Sequence, residues 1–189
     1  MKVKHKMSKH YIDNKKFYAE IVAHKARSVA AKEAGKNKPP IPNYIGECFM
    51  KIAEHLAYKP NFIHYTYREE MIGDAIENCV MYFESFNPDK TNNPFAYFTM
   101  VVWNAFLRRI GKEGKAQYVK YKMLQNHMLF ESDAYSDDQS LSDLKPVEIY
   151  ANIAEYTSSF EKKQKQKKKK KLKKLERSKK GLESFYPNE

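Results

Sequence analysis

Two neighbouring segments between Thr66 and Ile110 repeat their apolar residues at the spacing of an α-helix. Thr66 with Glu69 three positions later matches a capping box, in which each side chain bonds a backbone N–H of the other residue, so the first helix is predicted to begin there. Few segments of the chain alternate apolar and polar residues with a period of two, so the expected fold class is all-α. The apolar stripe of the first helix consists of Met71, Ile72, Ala75, Ile76, Cys79, Val80 and Phe83.

The acidic side chains of this segment lie mainly off the apolar stripe, at Glu69, Glu70, Asp74, Glu77 and Glu84. One face of the helix is therefore expected to pack and another to be anionic. An anionic face on a surface helix is either solvated or turned toward a cationic partner, and periodicity leaves both alternatives open. Asn87-Pro88-Asp89 is expected to end the helix, because proline disfavours the helical conformation in the residue before it.

A second helix is predicted from Asn92-Asn93-Pro94, an amide cap with proline in the first turn, to Gly111. Its core stripe consists of Phe95, Phe98, Val102, Ala105 and Phe106. A different face carries Tyr97, Met100, Val101, Asn104 and Arg108. Aromatic, amide and cationic side chains stack on unpaired bases, bond base edges and hold phosphates. The alternatives are a buried aromatic ring at Tyr97 and a helix-internal amide at Asn104; Trp103, the only Trp, is either core or part of the DNA face.

The segment Glu70–Phe86 resembles, without gaps, the helix by which bacterial sigma factors dock on the clamp helices of RNA polymerase. Asn-Pro-Asp-Lys follows it, where that family has an acidic, turn-forming junction. Ala96-Tyr97-x-Thr99 and then Asn104–Arg109 resemble the sigma helix that melts and reads the minus-ten promoter element. Cys48–Leu56 looks like the helix before these two. The resemblance covers about Tyr44–Lys115 and implies the compact helical bundle of sigma domain two.

The resemblance implies a role for individual residues. Glu70, Asp74 and Glu77 would face the polymerase, Tyr97 would stack against the base flipped out of the minus-ten element, and Asn104 would contact the upstream edge of that element. Arg108, Arg109, Lys112 and Lys115 would hold phosphates, which add affinity without sequence information. Thr99, Met100 and Trp103 would complete the DNA-binding face. Housekeeping sigma factors have two adjacent Trp residues where this chain has Met100 and Val101, which implies weak melting or help from an activator.

A closer resemblance is to the late-promoter sigma factors of T-even-type bacteriophages and their cyanophage relatives. It is carried by Trp103–Lys115, by a length of 189 residues and by a short hydrophobic and acidic tail. That family implies that Leu172 and Leu175 dock on the polymerase flap, and that Leu182, Phe185 and Tyr186 hold the viral sliding clamp. It also implies core RNA polymerase and promoter DNA as partners, and the cytoplasm of an infected bacterial host as location.

Basic residues are concentrated near the end of the chain. Lys162–Lys180 holds 13 basic residues and one acid, a net of +12 that equals the formal charge of the whole protein. Such a run attracts DNA, RNA or a membrane alike. Glu131–Glu161 carries eight acids against only Lys145, and either forms a solvated linker, the preferred interpretation, or folds over a basic DNA surface.

These observations predict one helical domain with flanking segments. The expected division is a disordered N-terminus over 1–10, the helical domain over 11–128, a flexible acidic linker over 129–161, a Lys-rich segment over 162–180 and a tail over 181–189. Within the domain, a first helix is expected over about Asn14–Ala34, and Gly35–Pro42 as a loop.

Several classes of protein are excluded by what the sequence lacks. It has no apolar run of about eighteen residues and no signal peptide, which predicts a soluble intracellular protein. Cys48 and Cys79 are expected to be buried thiols, and neither a metal site nor a cofactor site is visible in the spacing of the histidines. The sequence contains no nucleophile pattern, no phosphate-binding loop and no carboxylate pair of a metal site, so we expect the chain to have no catalytic activity of its own.

Two other functions remain open. A basic RNA-binding or ribosome-associated protein would account for the Lys run but not for an acidic helix preceding an aromatic one. A cellular extracytoplasmic-function sigma factor, or its anti-sigma partner, would share the two central helices. It would be expected to add a helix-turn-helix or a sensor domain, and no such pattern follows Met128.

Overall fold

A computed structural model describes the backbone of residues 11–134 and 147–183, and the side chains of residues 11–127 and 151–178. Within these ranges the chain forms five α-helices and no strand, which confirms the all-α class. The helices are α1 (Asn14–Glu33), α2 (Asn43–Ala57), α3 (Arg68–Met81), α4 (Pro94–Ala134) and α5 (Val147–Glu183). The chain divides into two compact units, one ending at Gly111 and the other beginning at Lys112. The predicted disordered segment 1–10 lies outside the described residues.

Local signals account for both ends of α1. The side-chain carboxylate of Asp13 accepts a hydrogen bond from the backbone N–H of Lys15 at 3.0 Å and so caps the start of the helix. Gly35 follows the helix with a φ of 66°, a left-handed conformation that glycine adopts without the cost of a Cβ. The N–H of Lys36 donates to the carbonyl of Ala31 at 2.8 Å and closes the last turn. The predicted helix over about Asn14–Ala34 is confirmed.

Aromatic rings fill the centre of the first unit. Phe98 of α4 is fully buried, and its ring centroid lies 5.7 Å from that of Phe17 on α1 and 4.6 Å from that of Phe49 on α2. Phe83 and Phe86, which follow α3, approach the same ring at 6.4 and 6.0 Å. Because aromatic pairs at these separations stabilise beyond their buried area, this cluster ties three helices and the α3–α4 connection together.

The start of α3 differs from the prediction. The helix begins at Arg68 after Tyr67, and no side chain caps it, so the predicted capping box of Thr66 and Glu69 is wrong. The residues before it form hydrogen-bonded turns, and Phe62 within those turns is buried in the core. We attribute the later start to this burial, since a turn anchored by a buried ring outweighs a surface cap of about 1 kcal/mol.

The end of α3 also comes earlier than expected. The helix stops at Met81, not at Asn87-Pro88-Asp89, and successive turns lead to Phe86. These turns bring Phe83 and Phe86 into the core, where both are buried. In a continued α-helix, Phe83 and Phe86 would lie about 60° apart around the helix axis. The turns therefore give the two rings directions that a helix would not.

The start of α4 follows the prediction, whereas its end does not. The amide oxygen of Asn93 accepts a hydrogen bond from the backbone N–H of Ala96 at 3.1 Å, and Pro94 is the first helical residue. The helix then continues through Gly111 to Ala134, so the prediction that Gly111 ends it is wrong. Glycine inside a helix costs only about 1 kcal/mol relative to alanine, and the residues after it gain packing against α5.

The second unit is built from the later part of α4 and from α5. Ring centroids lie 4.7 Å apart between Tyr118 and Phe160 and 5.2 Å apart between Tyr121 and Tyr156. Ile153 is buried at 5% exposure. The range 147–161, predicted as part of an acidic linker, is therefore the first part of a packed helix, because Tyr156 and Phe160, one turn apart, contact Tyr121 and Tyr118 of α4.

Both cysteines are buried free thiols, as expected. Burial raises the pKa of Cys79 to about 12, so this thiol stays protonated at neutral pH. Among the described residues, no group of His, Cys, Asp and Glu is arranged to hold a metal ion. Within the same part of the chain, none of the helices combines the length and apolar character needed to cross a membrane.

Candidate nucleic-acid and protein-binding surfaces

The first turn of α4 is tied to α1, which orients the predicted DNA-binding face. The backbone N–H of Phe95 donates to the amide oxygen of Asn14 at 3.1 Å. Thr99 lies one turn later, and its hydroxyl donates to the carbonyl of Phe95 at 2.7 Å. Thr99 is half-buried, so its hydroxyl serves the helix backbone and only part of its surface is open to a ligand.

Tyr97 is half-buried in a pocket formed by aromatic residues. Its ring centroid lies 5.3 Å from that of Phe86 and 5.0 Å from that of Phe98, both in edge-to-face geometry. The phenol donates to the carbonyl of Tyr82 at 3.4 Å. Burial raises the pKa of Tyr97, which keeps the phenol neutral. The ring is thus held in one orientation and remains partly accessible, combining features of the buried and the base-stacking interpretations.

The neighbouring candidates differ in their exposure. Met100 is 59% exposed and Asn104 is also exposed, so both side chains are open to a ligand. Trp103 is half-buried and meets Phe62 at a ring-centroid distance of 4.9 Å in edge-to-face geometry. The contact of Trp103 with the core favours the structural alternative for this residue, because its ring covers a buried phenylalanine.

The acidic face of α3 is partly exposed and partly used inside the first unit. Glu70 and Glu77 are exposed. Asp74 is half-buried, and its Oδ2 lies 3.6 Å from Nε of Arg109 on α4, whose side chain is only 15% exposed. Asp74 therefore stabilises the contact of α3 with α4, and its carboxylate is less available to a partner than those of the two glutamates.

Arg108 also contacts α3. Its guanidinium donates a hydrogen bond to the amide oxygen of Asn78, and the amide nitrogen of Asn78 donates to the carbonyl of Asp74 at 2.6 Å. Arg108 is nevertheless exposed, which leaves further N–H donors of the guanidinium open. Both arginines predicted to bind phosphates thus also link α3 to α4, a role that the sequence pattern did not reveal.

The remaining predicted residues belong to the second unit. Lys112 and Lys115 are exposed on α4. Leu172 and Leu175 lie on α5 with 61% and 50% exposure, so they form an apolar edge that the residues described by the structure leave uncovered. The backbone of Leu182 is helical, but its side chain lies outside the described residues, as do Phe185 and Tyr186 entirely.

Contacts between α4 and α5 are the features that sequence reasoning missed. The hydroxyl of Tyr118 donates to Oε1 of Glu161 at 2.8 Å, and this bond lowers the pKa of Glu161. Lys122 lies 3.6 Å from the same carboxylate oxygen. A signal was present, because Tyr118 with Tyr121 and Tyr156 with Phe160 are aromatic pairs at helical spacing on two separate segments.

No protein-family model matches this chain, and no curated protein matches it.

Proposed function

We propose that this chain is a minimal sigma factor of the viral late-promoter type, which binds bacterial core RNA polymerase and opens an A·T-rich minus-ten element. The observation that carries the proposal is the order and exposure of two helices. An acidic helix, α3, exposes Glu70 and Glu77, and the next helix, α4, exposes Met100 and Asn104 beside the half-buried Tyr97. The resemblance to sigma domain two covers the same two helices.

The DNA side of the proposal depends on stacking. Flipping a base out of a duplex costs a few kcal/mol, and stacking on an aromatic side chain returns about 1 to 3 kcal/mol per base. Tyr97 is suited to this role because contacts with Phe86 and Phe98 fix its ring before DNA arrives. Asn104, about two turns further along α4, offers both donors and an acceptor to a base edge. Melting then draws on binding energy without ATP.

The polymerase side of the proposal depends on the exposed glutamates of α3. Glu70 and Glu77 lie seven residues apart, which places them about two turns apart on the same face of the helix. Carboxylates arranged in this way complement a cationic groove and accelerate association with it. Asp74 lies between them on the chain and supports the face through its ion pair with Arg109.

Reversing the charge of Glu70 and Glu77 is expected to abolish co-purification with core RNA polymerase. The double change Glu70→Lys with Glu77→Lys replaces two attractive contacts with repulsive ones, and we expect at least a tenfold loss of affinity. Asp74 is left intact, because its removal would also disturb Arg109. The measurement is recovery of polymerase subunits on the tagged chain, before and after nuclease treatment.

A matched control separates the acidic face from net charge. Glu33 of α1 and Glu54 of α2 are exposed, so Glu33→Lys with Glu54→Lys makes the same change of charge elsewhere in the first unit. This control is expected to retain polymerase. If the partner is instead lost from the wild-type chain on nuclease treatment, the chain is an RNA-binding basic protein and the sigma proposal fails.

The end of the chain extends the proposal to a sliding clamp. Leu172 and Leu175 are exposed on α5 and would dock on the polymerase flap, while Leu182, Phe185 and Tyr186 would hold the clamp. A clamp that tracks along DNA raises the effective concentration of polymerase near a promoter, and linked binding of this kind increases avidity about 10² to 10⁴ fold. It would replace the contact that a second DNA-binding module makes upstream.

Deleting Gly181–Glu189 is expected to abolish stimulation by the clamp while basal initiation survives, because the deletion removes all three apolar residues of the tail. It leaves the first unit whole and retains the residues of α5 that pack on α4. The measurement is transcript yield on a minus-ten template, with and without loaded clamp. A triple alanine variant of Leu182, Phe185 and Tyr186 tests the same residues at full length. Unchanged stimulation in both variants would contradict the clamp assignment.

A further inference from the structure

A ten-residue stretch of α5 carries an unusual density of positive charge. Residues 162–171, called here the basic segment, contain eight lysines and two glutamines, with no acid and no apolar residue. All eight lysines are exposed. From Lys167 to Lys171, the side chains form no hydrogen bond or ion pair with any other residue that the structure describes. These five lysines therefore have no counter-charge among the described residues, whereas Lys165 of the same segment lies near Glu161 and contributes to lowering the pKa of that carboxylate.

The spacing of these charges matches that of duplex DNA. At 1.5 Å per residue, ten helical residues rise about 13.5 Å from first to last, so eight lysines give about one charge per 1.7 Å. Duplex DNA carries one negative charge per about 1.7 Å of its axis. Two chains of opposite charge with equal spacing neutralise each other along their whole length, and neutralisation releases the counterions that surround DNA.

The distribution of lysines around the helix indicates which kind of polyanion fits the basic segment best. Lys167–Lys171 are consecutive, and at about 100° per residue they point in all directions around the axis. A helix that inserts into a membrane surface buries an apolar face there, and the basic segment has none, so a membrane would attract it through charge alone. The major groove of B-form DNA, about 12 Å wide, admits an α-helix with phosphates on both sides, whereas the major groove of duplex RNA is too narrow.

We infer that the basic segment of α5 is a binding site for duplex DNA, which contacts phosphates without reading sequence. Lysine heads approach phosphates as point charges, so affinity follows charge and salt and not the order of bases. The inference is independent of the sigma-factor proposal, because it concerns binding in the absence of polymerase and promoter. It leaves Leu172 and Leu175, which follow the basic segment, exposed for a protein partner.

The test is the salt dependence of binding between the full chain and a short duplex of random sequence, for wild type and a variant in which five lysines become glutamine. Glutamine keeps the helix propensity of lysine and removes only the charge. The slope of log affinity against log salt is expected to become shallower by about 4 to 5, and affinity to fall at least tenfold at low salt. The substitutions are Lys167→Gln, Lys168→Gln, Lys169→Gln, Lys170→Gln and Lys171→Gln.

A matched variant removes the same number of charges from the first unit, so both variants lower the formal net charge of +12 by five. It is expected to keep the wild-type slope within about 1. An equal loss in both variants, or no loss in the α5 variant, overturns the inference, as does tighter binding to duplex RNA or to anionic phospholipid vesicles than to duplex DNA. The control substitutions, all at exposed residues, are Lys15→Gln, Lys32→Gln, Lys36→Gln, Lys59→Gln and Lys90→Gln.

Discussion

Replacing Tyr97 with alanine is expected to abolish promoter opening by the chain with bacterial core RNA polymerase. The substitution removes the ring on which the flipped base would stack, worth about 1 to 3 kcal/mol, so the open complex should fall about 5- to 150-fold. The measurement is permanganate reactivity of unpaired thymines on a template with an A·T-rich minus-ten element and no upstream element. Opening by wild type under these conditions would establish the sigma activity itself.

Two variants at the same position separate stacking from stability. Tyr97→Phe keeps the ring and loses only the 3.4 Å hydrogen bond to the carbonyl of Tyr82, so it should open promoters nearly as well as wild type. Tyr97→Leu keeps apolar contact with Phe86 and Phe98 but offers no aromatic face, and it should fail. If Tyr97→Leu opens promoters as wild type does, the ring is a core residue and not a stacking platform. Absence of opening by the wild-type chain, even with a loaded clamp, would count against the sigma proposal as a whole.

Replacing Phe98 with alanine is expected to lower the free energy of unfolding of the first unit by about 3 to 5 kcal/mol. The side chain is fully buried, and its ring contacts those of Phe17, Phe49, Phe83 and Phe86, so its removal leaves a cavity that several elements border. Since small domains are stable by about 5 to 15 kcal/mol, the loss is a large share of the total. Urea denaturation followed by circular dichroism measures it.

Met100→Ala is the matched control for Phe98→Ala, because it lies on the same helix and removes a side chain that is 59% exposed. Its effect on unfolding should stay within about 0.5 kcal/mol. A loss below about 1 kcal/mol for Phe98→Ala would show that the aromatic cluster is not the centre of the core. The two substitutions also differ in their relation to the proposed DNA-binding face. The ring of Phe98 contacts that of Tyr97 edge-to-face, whereas Met100 lies on the exposed face.

The two arginines show what sequence reasoning can and cannot reach in the candidate site. The resemblance to sigma factors implied that both would hold phosphates, and the structure leaves Arg108 exposed and Arg109 half-buried. Periodicity could not reveal that Arg108 bonds Asn78 or that Arg109 lies 3.6 Å from Asp74, because the two residues of each pair are thirty or more positions apart in sequence. The proposed polymerase face and the proposed DNA face consequently share a set of contacts.

The sequence by itself determined the helical class, the bounds of α1, the amide cap of α4, and most of the buried residues of α3 and α4, since each of these depends on neighbours within a few residues. Val80, predicted on the apolar stripe of α3, is instead 50% exposed, and Ile72 and Ile76 are half-buried. Met71, Ala75 and Cys79, and likewise Phe98, Val102 and Phe106, are buried as their spacing predicts. Turn chemistry and helical periodicity depend on residues that are close in sequence, so both can be predicted from a single sequence.

Only the tertiary structure decided where α3 begins and ends, whether α4 stops at Gly111, and what residues 147–161 form. In each case a local signal of about 1 kcal/mol competed with the burial of aromatic rings worth about 1.5 to 3 kcal/mol each. The turns around Phe62, Phe83 and Phe86 bury those three rings, and the half-buried rings of Tyr118 and Phe160 stack on each other. Their partners are distant in sequence, so packing prevailed where the local pattern predicted otherwise.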